Sequence, residues 1–248
     1  MAAHVLALAS GVYDFVGVTV LRDHHESIVV RIGELMSTPL IIAVSAWKGG
    51  VGKSTTSIYL AALLARDTGA RVALVDRDAS RNLTAMVAQR PDLRDELIAR
   101  GVHLISGEEI PRGRDAFPYS VIDTSPGDGA IASLRDATLV VLPVKPEDQS
   151  IGNFVKHLEQ LDDARLAVSP RMRLLAALPT MVWRTGRSLV RQHQEHLDNI
   201  AAIAARRHPP LPVLPYVPLS TRVMNFDLDA PEYRPVAEEI LRYVAIPV

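Results

Sequence analysis

The run WKGGVGKST occupies residues 47–55 of this 248-residue chain. Its three glycines remove side-chain bulk and permit positive φ angles, so backbone N–H groups there can surround a dense anion. The apolar, β-branched run at residues 39–45 predicts a buried strand before the loop. Residues 54–66 predict a helix that stops near Gly69, and the N-terminus of that helix would also face the anion. Strand, glycine loop and helix in this order predict a phosphate-binding loop for a nucleotide.

The side chains of this loop have separate predicted roles. Lys53 would reach the β- and γ-phosphates of the nucleotide, and the Ser54 hydroxyl would be a ligand of Mg²⁺. The general pattern G-x-x-x-x-G-K-[ST] has a glycine where Trp47 stands, and this chain places a second lysine, Lys48, directly after it. The predicted nucleotide-binding residues are Lys48, Gly49, Gly50, Val51, Gly52, Lys53, Ser54 and Thr55.

The segment KGGVGKST, residues 48–55, resembles the loop of the ParA/MinD group of deviant Walker ATPases. It is most similar to that of the small ParA-type partition ATPases without an N-terminal operator-binding domain. The resemblance implies that the ligands are ATP and Mg²⁺, and that ATP binding forms a sandwich homodimer. In that dimer, Lys48 would cross to the phosphates bound by the partner subunit. A lysine supplied in trans neutralises charge on the transferring phosphoryl group, much as an arginine finger does.

A second block, RVALVDRDASRNLT at residues 71–84, supports the resemblance. It predicts a strand that ends in two carboxylates, Asp76 and Asp78, at the edge of a parallel sheet that faces the ligand. The family pattern is D-x-D-P-Q-G-N-x-T, and residues 79–81 of this chain, Ala-Ser-Arg, replace its P-Q-G. The resemblance implies that Asp78 orients or activates the attacking water and that Asp76 assists around the metal. An acidic turn after a strand is the alternative interpretation of the two carboxylates.

A third block, YSVIDTSPG at residues 119–127, predicts another apolar strand, which ends at Asp123. This aspartate would hold Mg²⁺ directly or through water, as a Walker B aspartate does. The family sequence here is D-T-P-P, from which Ser125 departs. With Ser54 and Asp76, Asp123 completes the predicted set of metal ligands.

Strands and helices alternate along residues 38–245, which predicts an α/β fold: a doubly wound, mainly parallel sheet with helices on both faces. In terms of the resemblance, this is a P-loop NTPase fold of the deviant Walker type. Further predicted strands are residues 137–144, 173–178 and 212–217, and further predicted helices are residues 149–167, 188–206 and 235–244.

The chain divides into an N-terminal extension of uncertain role, residues 1–35, and a ParA-like ATPase domain, residues 36–248. Two extended strands are predicted in the extension, at residues 12–21 and 27–32. We expect the extension to be dispensable for folding and ATP binding. It is too short to supply an operator-binding domain.

Composition excludes several classes of protein. The sequence contains no cysteine, which argues against disulfides, a thiol nucleophile and the iron–sulfur members of the same superfamily. No apolar run is long enough to span a bilayer, and no basic residue precedes Arg22 as a signal peptide requires. We therefore expect a cytoplasmic protein of a prokaryote, and the resemblance adds association with the nucleoid.

A net charge of −1 provides no global attraction to DNA, but residues 183–208 are rich in arginine. The resemblance implies non-specific DNA binding through phosphates in this part of the chain. The candidate DNA contacts are Arg184, Arg187, Arg191 and Arg222. A solvated helix face is an equally weighted alternative.

The predicted function is that of a DNA partition ATPase. Its ATP-bound dimer would hold DNA, and a ParB-like centromere-binding adaptor would stimulate slow hydrolysis and release it. Three alternatives are a MinD-like membrane-positioning ATPase, an ATP-dependent small-molecule enzyme of the same superfamily, and an ATP-binding switch with little turnover. Lys48 argues against the small-molecule enzyme, and the acidic residues of the tail argue against membrane binding.

Overall fold

The computed structural model describes residues 13–15, 18–22, 28–30, 39–107, 109–110, 117–127, 129–168, 172–186 and 188–245. A six-stranded sheet forms the centre of the fold, and every neighbouring pair of its strands is parallel. In chain order its strands are β4 (Leu40–Val44), β5 (Val72–Asp76), β6 (Val102–Ser106), β7 (Tyr119–Asp123), β8 (Leu139–Val144) and β9 (Arg173–Pro179). Their spatial order is β6-β5-β7-β4-β8-β9.

Eight α-helices are assigned in the described residues. They are α1 (Lys53–Thr68), α2 (Asn82–Ala88), α3 (Pro91–Ala99), α4 (Gly129–Ser133), α5 (Asp148–Val168), α6 (Arg191–Ala205), α7 (Thr221–Met224) and α8 (Arg234–Ala245). A 3₁₀ turn at Pro231–Tyr233 precedes α8. None of the helices in the described ranges is both long and apolar enough to cross a bilayer.

Helices cover both faces of the sheet because successive residues of each buried strand point to opposite sides. On one face, Ile42 and Leu74 pack with apolar residues of α1, α3 and α8. On the other face, Ala43 and Val75 pack with apolar residues of α5 and α6. The predicted doubly wound α/β architecture is therefore confirmed.

The C-terminal helix α8 is fixed to α1 by aromatic packing. The Tyr59 ring of α1 stacks on the Tyr233 ring, with centroids 4.4 Å apart. The Tyr233 hydroxyl also lies 3.0 Å from the Thr56 hydroxyl, and the Tyr59 hydroxyl donates to the Asp227 carbonyl at 2.9 Å. Val236 and Ile240 of α8 are fully buried, so the apolar side of this helix belongs to the core.

Several predicted elements need correction. The helix predicted at residues 188–206 begins at Arg191, because Ser188–Leu189 (β11) pairs with Arg184–Thr185 (β10) in a short hairpin. The strand predicted at residues 212–217 is reduced to isolated bridges, one of which joins Val213 to Ala177. Its prolines have no N–H group to continue a ladder. Helices α2 and α3 and strand β6 were not predicted.

The N-terminal extension contains three short antiparallel strands, where the sequence predicted two. They are β1 (Tyr13–Phe15), β2 (Val18–Arg22) and β3 (Ile28–Val30), in the order β1-β2-β3. The first predicted strand is thus divided into a hairpin, since Phe15 pairs with Val18. The rest of residues 1–38 lies outside the described part of the chain.

Candidate nucleotide-binding site

The phosphate-binding loop, residues 47–55, joins the carboxyl end of β4 to the start of α1, as the sequence predicts. Gly50 and Gly52 have φ angles of 77° and 88°, which favour glycine. A Cβ built at Gly49 or Gly50 would meet no described atom within 4 Å, so this part of the loop faces open space. The first turn of α1 has no capping bond from a side chain in the described residues, and its free N–H groups suit an anion.

A cleft of about 760 Å³ opens above this loop. The loop, the segments that follow β5 and β7, and Met181 line the cleft. Parallel strands place the segments after their carboxyl ends at one edge of the sheet, which is where ligands of such folds bind. The three sequence blocks are therefore brought together as predicted, whereas Met181 was not foreseen.

Lys53 lies at the floor of the cleft and is only 7% exposed. Burial lowers the pKa of its ammonium group, although the carboxylates of Asp123 and Asp78 act in the opposite direction. A buried cation at the start of a helix whose amides are free is well suited to a polyphosphate. The residues present therefore fit the β- and γ-phosphates of a nucleotide.

Asp123 and Ser54 meet at the predicted metal site. The Ser54 hydroxyl donates to one carboxylate oxygen of Asp123 at 2.6 Å, and the Ser57 hydroxyl approaches the other at 3.4 Å. Burial raises the pKa of the fully buried Asp123 to about 7, while the Ser54 hydrogen bond acts to lower it. The described residues contain no group of three His, Cys, Asp or Glu that could hold a metal alone. This pair fits Mg²⁺, which commonly takes few protein ligands and completes its shell with phosphates and water.

Asp76 lies beside Asp123, because the two residues are partners across β5 and β7. Both of its carboxylate oxygens, however, accept hydrogen bonds from residues of its own loop. One accepts from the Asp78 amide at 3.1 Å, and the other accepts from the Thr84 amide and hydroxyl at 2.8 and 2.6 Å. Asp76 thus closes the loop that carries Asp78, and its predicted assistance to the metal stays a prediction.

Asp78 is 7% exposed and lines the cleft. One of its oxygens accepts from the Ser80 amide at 3.0 Å and from the Ser80 hydroxyl at 2.7 Å. Arg81 follows with a positive φ of 52°, and its guanidinium donates to the Asp76 carbonyl. Of the residues that replace P-Q-G, Ser80 bonds to the Asp78 carboxylate and Arg81 bonds to the Asp76 carbonyl.

Lys48 is exposed at the rim of the loop, but its amine does not point freely into solvent. Its Nζ donates to the side-chain carbonyl of Gln149, at the start of α5, over 2.7 Å. The sequence gives no signal for this contact, because the two residues are 101 positions apart. A role for Lys48 in a second subunit requires this bond to be exchanged.

His157 of α5 is a further residue that the sequence analysis missed. It is 1% exposed, and its Nε2 lies 2.8 Å from the Ser45 hydroxyl just before the loop. Burial lowers the pKa of His157 to about 4, so the imidazole is neutral near pH 7. Its Nδ1 has no hydrogen-bond partner in the described residues, and His157 lines a cavity of about 10 Å³ behind Lys48.

The candidate DNA-binding arginines do not form one evident cluster. Arg184 lies in the β10–β11 hairpin and Arg191 begins α6 next to it, where it pairs with Glu195. Arg222 lies on α7 and pairs with Asp227 at 2.6 Å. Arg187 lies outside the described residues.

Residues 42–230 match the CobQ/CobB/MinD/ParA nucleotide binding domain. This chain belongs to that family. Over 192 residues it is 35% identical to the chromosome-partitioning ATPase Soj of Thermus thermophilus, a match that covers 62% of this chain and 73% of Soj. Shorter matches include ParA family proteins and an iron–sulfur cluster carrier protein. Membership of the CobQ/CobB/MinD/ParA family thus confirms the resemblance but does not select one activity.

Two solved structures agree with this family and its fold. Cobyrinic acid a,c-diamide synthase from Mycobacterium smegmatis, with a bound ATP analogue and magnesium, has a TM-score of 0.62 at 25% identity, covering 83% of this chain and 96% of the synthase. An ATP complex of McdA from Cyanothece has a TM-score of 0.68 at 19% identity, covering 85% of this chain and 98% of McdA. The McdA likeness is one of fold.

Proposed function

We propose that this chain is a DNA partition ATPase, in which ATP binding forms a DNA-holding dimer and hydrolysis releases it. The main support is Lys48, an exposed second lysine at the rim of an otherwise complete phosphate-binding loop. Lys53 already lines its own cleft, and Lys48 lies outside that lining. In the proposal, Lys48 exchanges its bond to Gln149 for the nucleotide held by a second copy. The similarity to Soj supports the same proposal.

In this proposal, each residue of the site has a separate role in hydrolysis. Lys53 and the amides of the phosphate-binding loop bind and orient the polyphosphate. Ser54 and Asp123 would hold Mg²⁺, which would neutralise charge on the phosphate oxygens. Asp78 orients water for attack, and Lys48 of the second subunit stabilises the negative charge that moves toward the leaving group.

DNA binding is the part of the proposal with the least structural support. Arg184 and Arg191 occupy adjacent elements, and Trp183, next to Arg184 in the chain, is 59% exposed. Such a surface suits phosphates together with unpaired bases or sugar edges. We propose sequence-independent binding that requires ATP and that a ParB-like adaptor reverses by stimulating hydrolysis.

The experiment that tests the proposal measures DNA binding by fluorescence anisotropy. The nucleotide is ADP or a slowly hydrolysed ATP analogue, and the salt concentration is varied. We expect binding only with the ATP analogue, and a linear fall of log affinity with log salt. Arg184→Ala with Arg191→Ala should reduce that slope, while Arg94→Ala, an exposed arginine of α3, serves as the control. Binding that is indifferent to nucleotide would contradict the proposal.

The alternative functions receive less support. A MinD-like membrane anchor needs an exposed apolar helix face, yet Val236, Ala237 and Ile240 of α8 are buried in the core. An iron–sulfur carrier needs cysteine ligands, and this sequence has none. A switch with little turnover is disfavoured because Ser80 holds the Asp78 carboxylate, which lines the cleft, by two hydrogen bonds.

A further inference from the structure

The four positions at which this chain departs from the ParA pattern lie together in space. Ala79, Ser80 and Arg81 follow Asp78, and Ser125 follows the strand that ends at Asp123. Although 46 residues separate Ala79 from Ser125 in sequence, the Ala79 amide donates to the Ser125 hydroxyl oxygen at 3.1 Å. Two of the departures, Ala79 and Ser125, are therefore linked by a hydrogen bond.

The Ser125 hydroxyl forms hydrogen bonds to the backbone on both sides of Asp78. Its hydroxyl donates to the carbonyl oxygen of Arg77, the residue before Asp78, at 3.2 Å. The same hydroxyl accepts from the amide of Ala79, the residue after Asp78. A serine hydroxyl can do both at once, because it has one proton to donate and lone pairs to accept with. The residue is 9% exposed, so water competes little for these bonds.

Further contacts hold Arg77 and Ser125 in position. The Arg77 amide donates to the Asp123 carbonyl at 2.9 Å, which joins the ends of β5 and β7. The buried Arg77 guanidinium donates to the Ser133 carbonyl at 2.9 Å and pairs with Asp136, beyond the end of α4. Gly129 leaves the room that Ser125 needs, since a Cβ there would lie 3.0 Å from the Cβ of Ser125.

The residues of the family pattern could not make these bonds. Proline at position 79 would have no N–H to donate, and proline at position 125 would have no hydroxyl to receive it. Each departure therefore supplies the partner that the other requires. At position 80, the serine hydroxyl adds a bond to the Asp78 carboxylate, beside the one that the backbone amide makes.

We propose that Ser125 is a positioning residue for hydrolysis: it fixes the backbone on either side of Asp78, and Ser80 fixes the carboxylate itself. This inference rests on the proposed ATPase function. It assigns to residues 79–81 and 125 one shared task, which is to hold Asp78 in the cleft before water attacks. If a group that orients water is displaced by about 1 Å, the rate falls by up to about 100-fold.

The test measures steady-state ATP hydrolysis and nucleotide affinity for Ser125→Ala and for a matched control, Ser133→Ala. Ser133 is also 9% exposed, and its hydroxyl donates to the Gly129 carbonyl within its own helix. Alanine at position 133 removes only this hydroxyl and keeps the backbone carbonyl that accepts from Arg77. We expect kcat of the Ser125→Ala protein to fall by about tenfold. Its KM and its affinity for an ATP analogue should change less than twofold, and Ser133→Ala should leave kcat unchanged.

Further measurements separate positioning from general loss of structure. Ser80→Ala should lower kcat by a smaller factor, because the Ser80 amide still bonds to Asp78. Ala79→Pro should lower kcat in the wild-type background but have little further effect with Ser125→Ala, since one bond cannot be lost twice. Ala79→Gly, which keeps the N–H, is the control for the proline. Amide hydrogen exchange should rise over residues 77–81 in Ser125→Ala but not in Ser133→Ala.

The possible outcomes are distinguishable. If the wild-type protein hydrolyses ATP and Ser125→Ala matches Ser133→Ala, the role of Ser125 is wrong while the proposed ATPase stands. Loss of affinity in parallel with kcat, or additive effects of Ala79→Pro and Ser125→Ala, would also overturn it. A wild-type protein without turnover would overturn the proposed function and the role of Ser125 in it.

Discussion

The phosphate-binding loop and the loop from β5 to α2 line the same cleft by different physical means. The first, residues 47–55, presents backbone amides and open space, and glycines give it its shape. The second, residues 76–84, is held by hydrogen bonds that the Asp76 carboxylate accepts and that the side chains of Ser80 and Arg81 donate. A backbone cradle shaped by glycines leaves little room for other residues, whereas a loop held by side chains can be rebuilt from other residues. Three of the four departures from the family pattern, residues 79–81, accordingly fall in the second loop.

The strongest test of the side-chain loop is Asp78→Asn. An amide keeps the shape of the carboxylate but is a poor acceptor for the proton of the attacking water, so we expect kcat to fall by about 100-fold or more. ATP affinity should change little, because Lys53 and the loop amides bind the phosphates. Asp95→Asn, an exposed carboxylate of α3, is the control. A variant with unchanged turnover would remove Asp78 from the mechanism.

The backbone cradle is tested by Lys53→Ala. Loss of a charge-assisted hydrogen bond to phosphate at a buried site should weaken ATP binding by about 10- to 100-fold. Isothermal titration calorimetry measures this directly, with Lys156→Ala as an exposed lysine control on α5. Retained tight binding would show that the amides alone suffice and that Lys53 is not a phosphate ligand.

The contact between His157 and Ser45, just before the phosphate-binding loop, is tested by the pH dependence of stability. Its pKa is about 4 when folded against 6.5 for an ordinary histidine, so the unfolded chain takes up a proton first as the pH falls. The contribution of His157 to the free energy of unfolding is therefore fully present above about pH 6.5 and is lost as the pH falls toward 4. Relative to His157→Gln, the wild-type free energy of unfolding should fall by about 2 kcal/mol between pH 6.5 and pH 5.

Comparison with the variant is essential to that measurement, because Asp123 acts in the opposite direction. Its raised pKa of about 7 means that the folded protein takes up this proton first as the pH falls. Urea unfolding of both proteins without nucleotide or Mg²⁺ removes the common contribution of Asp123. Parallel stability curves for wild type and variant would contradict the effect assigned to His157.

The smallest effect concerns the contact between Lys48 and Gln149. Gln149→Ala frees the Lys48 amine, so a dimer that uses this amine should form about two- to fivefold more readily with a slowly hydrolysed ATP analogue. Sedimentation velocity measures the shift, and Gln194→Ala, an exposed glutamine of α6, is the control. Weaker dimerisation in Gln149→Ala would mean that the bond to Gln149 prepares Lys48 for the dimer instead of restraining it.

Local patterns were sufficient for the elements with strong periodicity or fixed spacing. Strand β4 and helix α1 follow from apolar runs, and the end of α1 follows from Gly69. In the structure this glycine has the left-handed φ of 66° that ends a helix. Helices α2 and α3 were not foreseen, because α2 is only seven residues long and neither helix has a side-chain N-cap. The hairpin before α6 was also missed, since strands of two residues leave no periodic signal.

The amino-acid order alone specified the phosphate-binding loop and the two aspartate-ending strands, because each depends on neighbours within a few positions. It also specified the alternation of strands and helices from which the parallel α/β fold was predicted. It did not specify that Lys48 meets Gln149, that Ser45 meets His157, or that Ala79 meets Ser125. Those partners are 101, 112 and 46 residues apart. Chain folding brings them together by packing the sheet against α5 and by placing strand ends side by side. The binding chemistry is thus local, and the contacts that orient its groups are long-range.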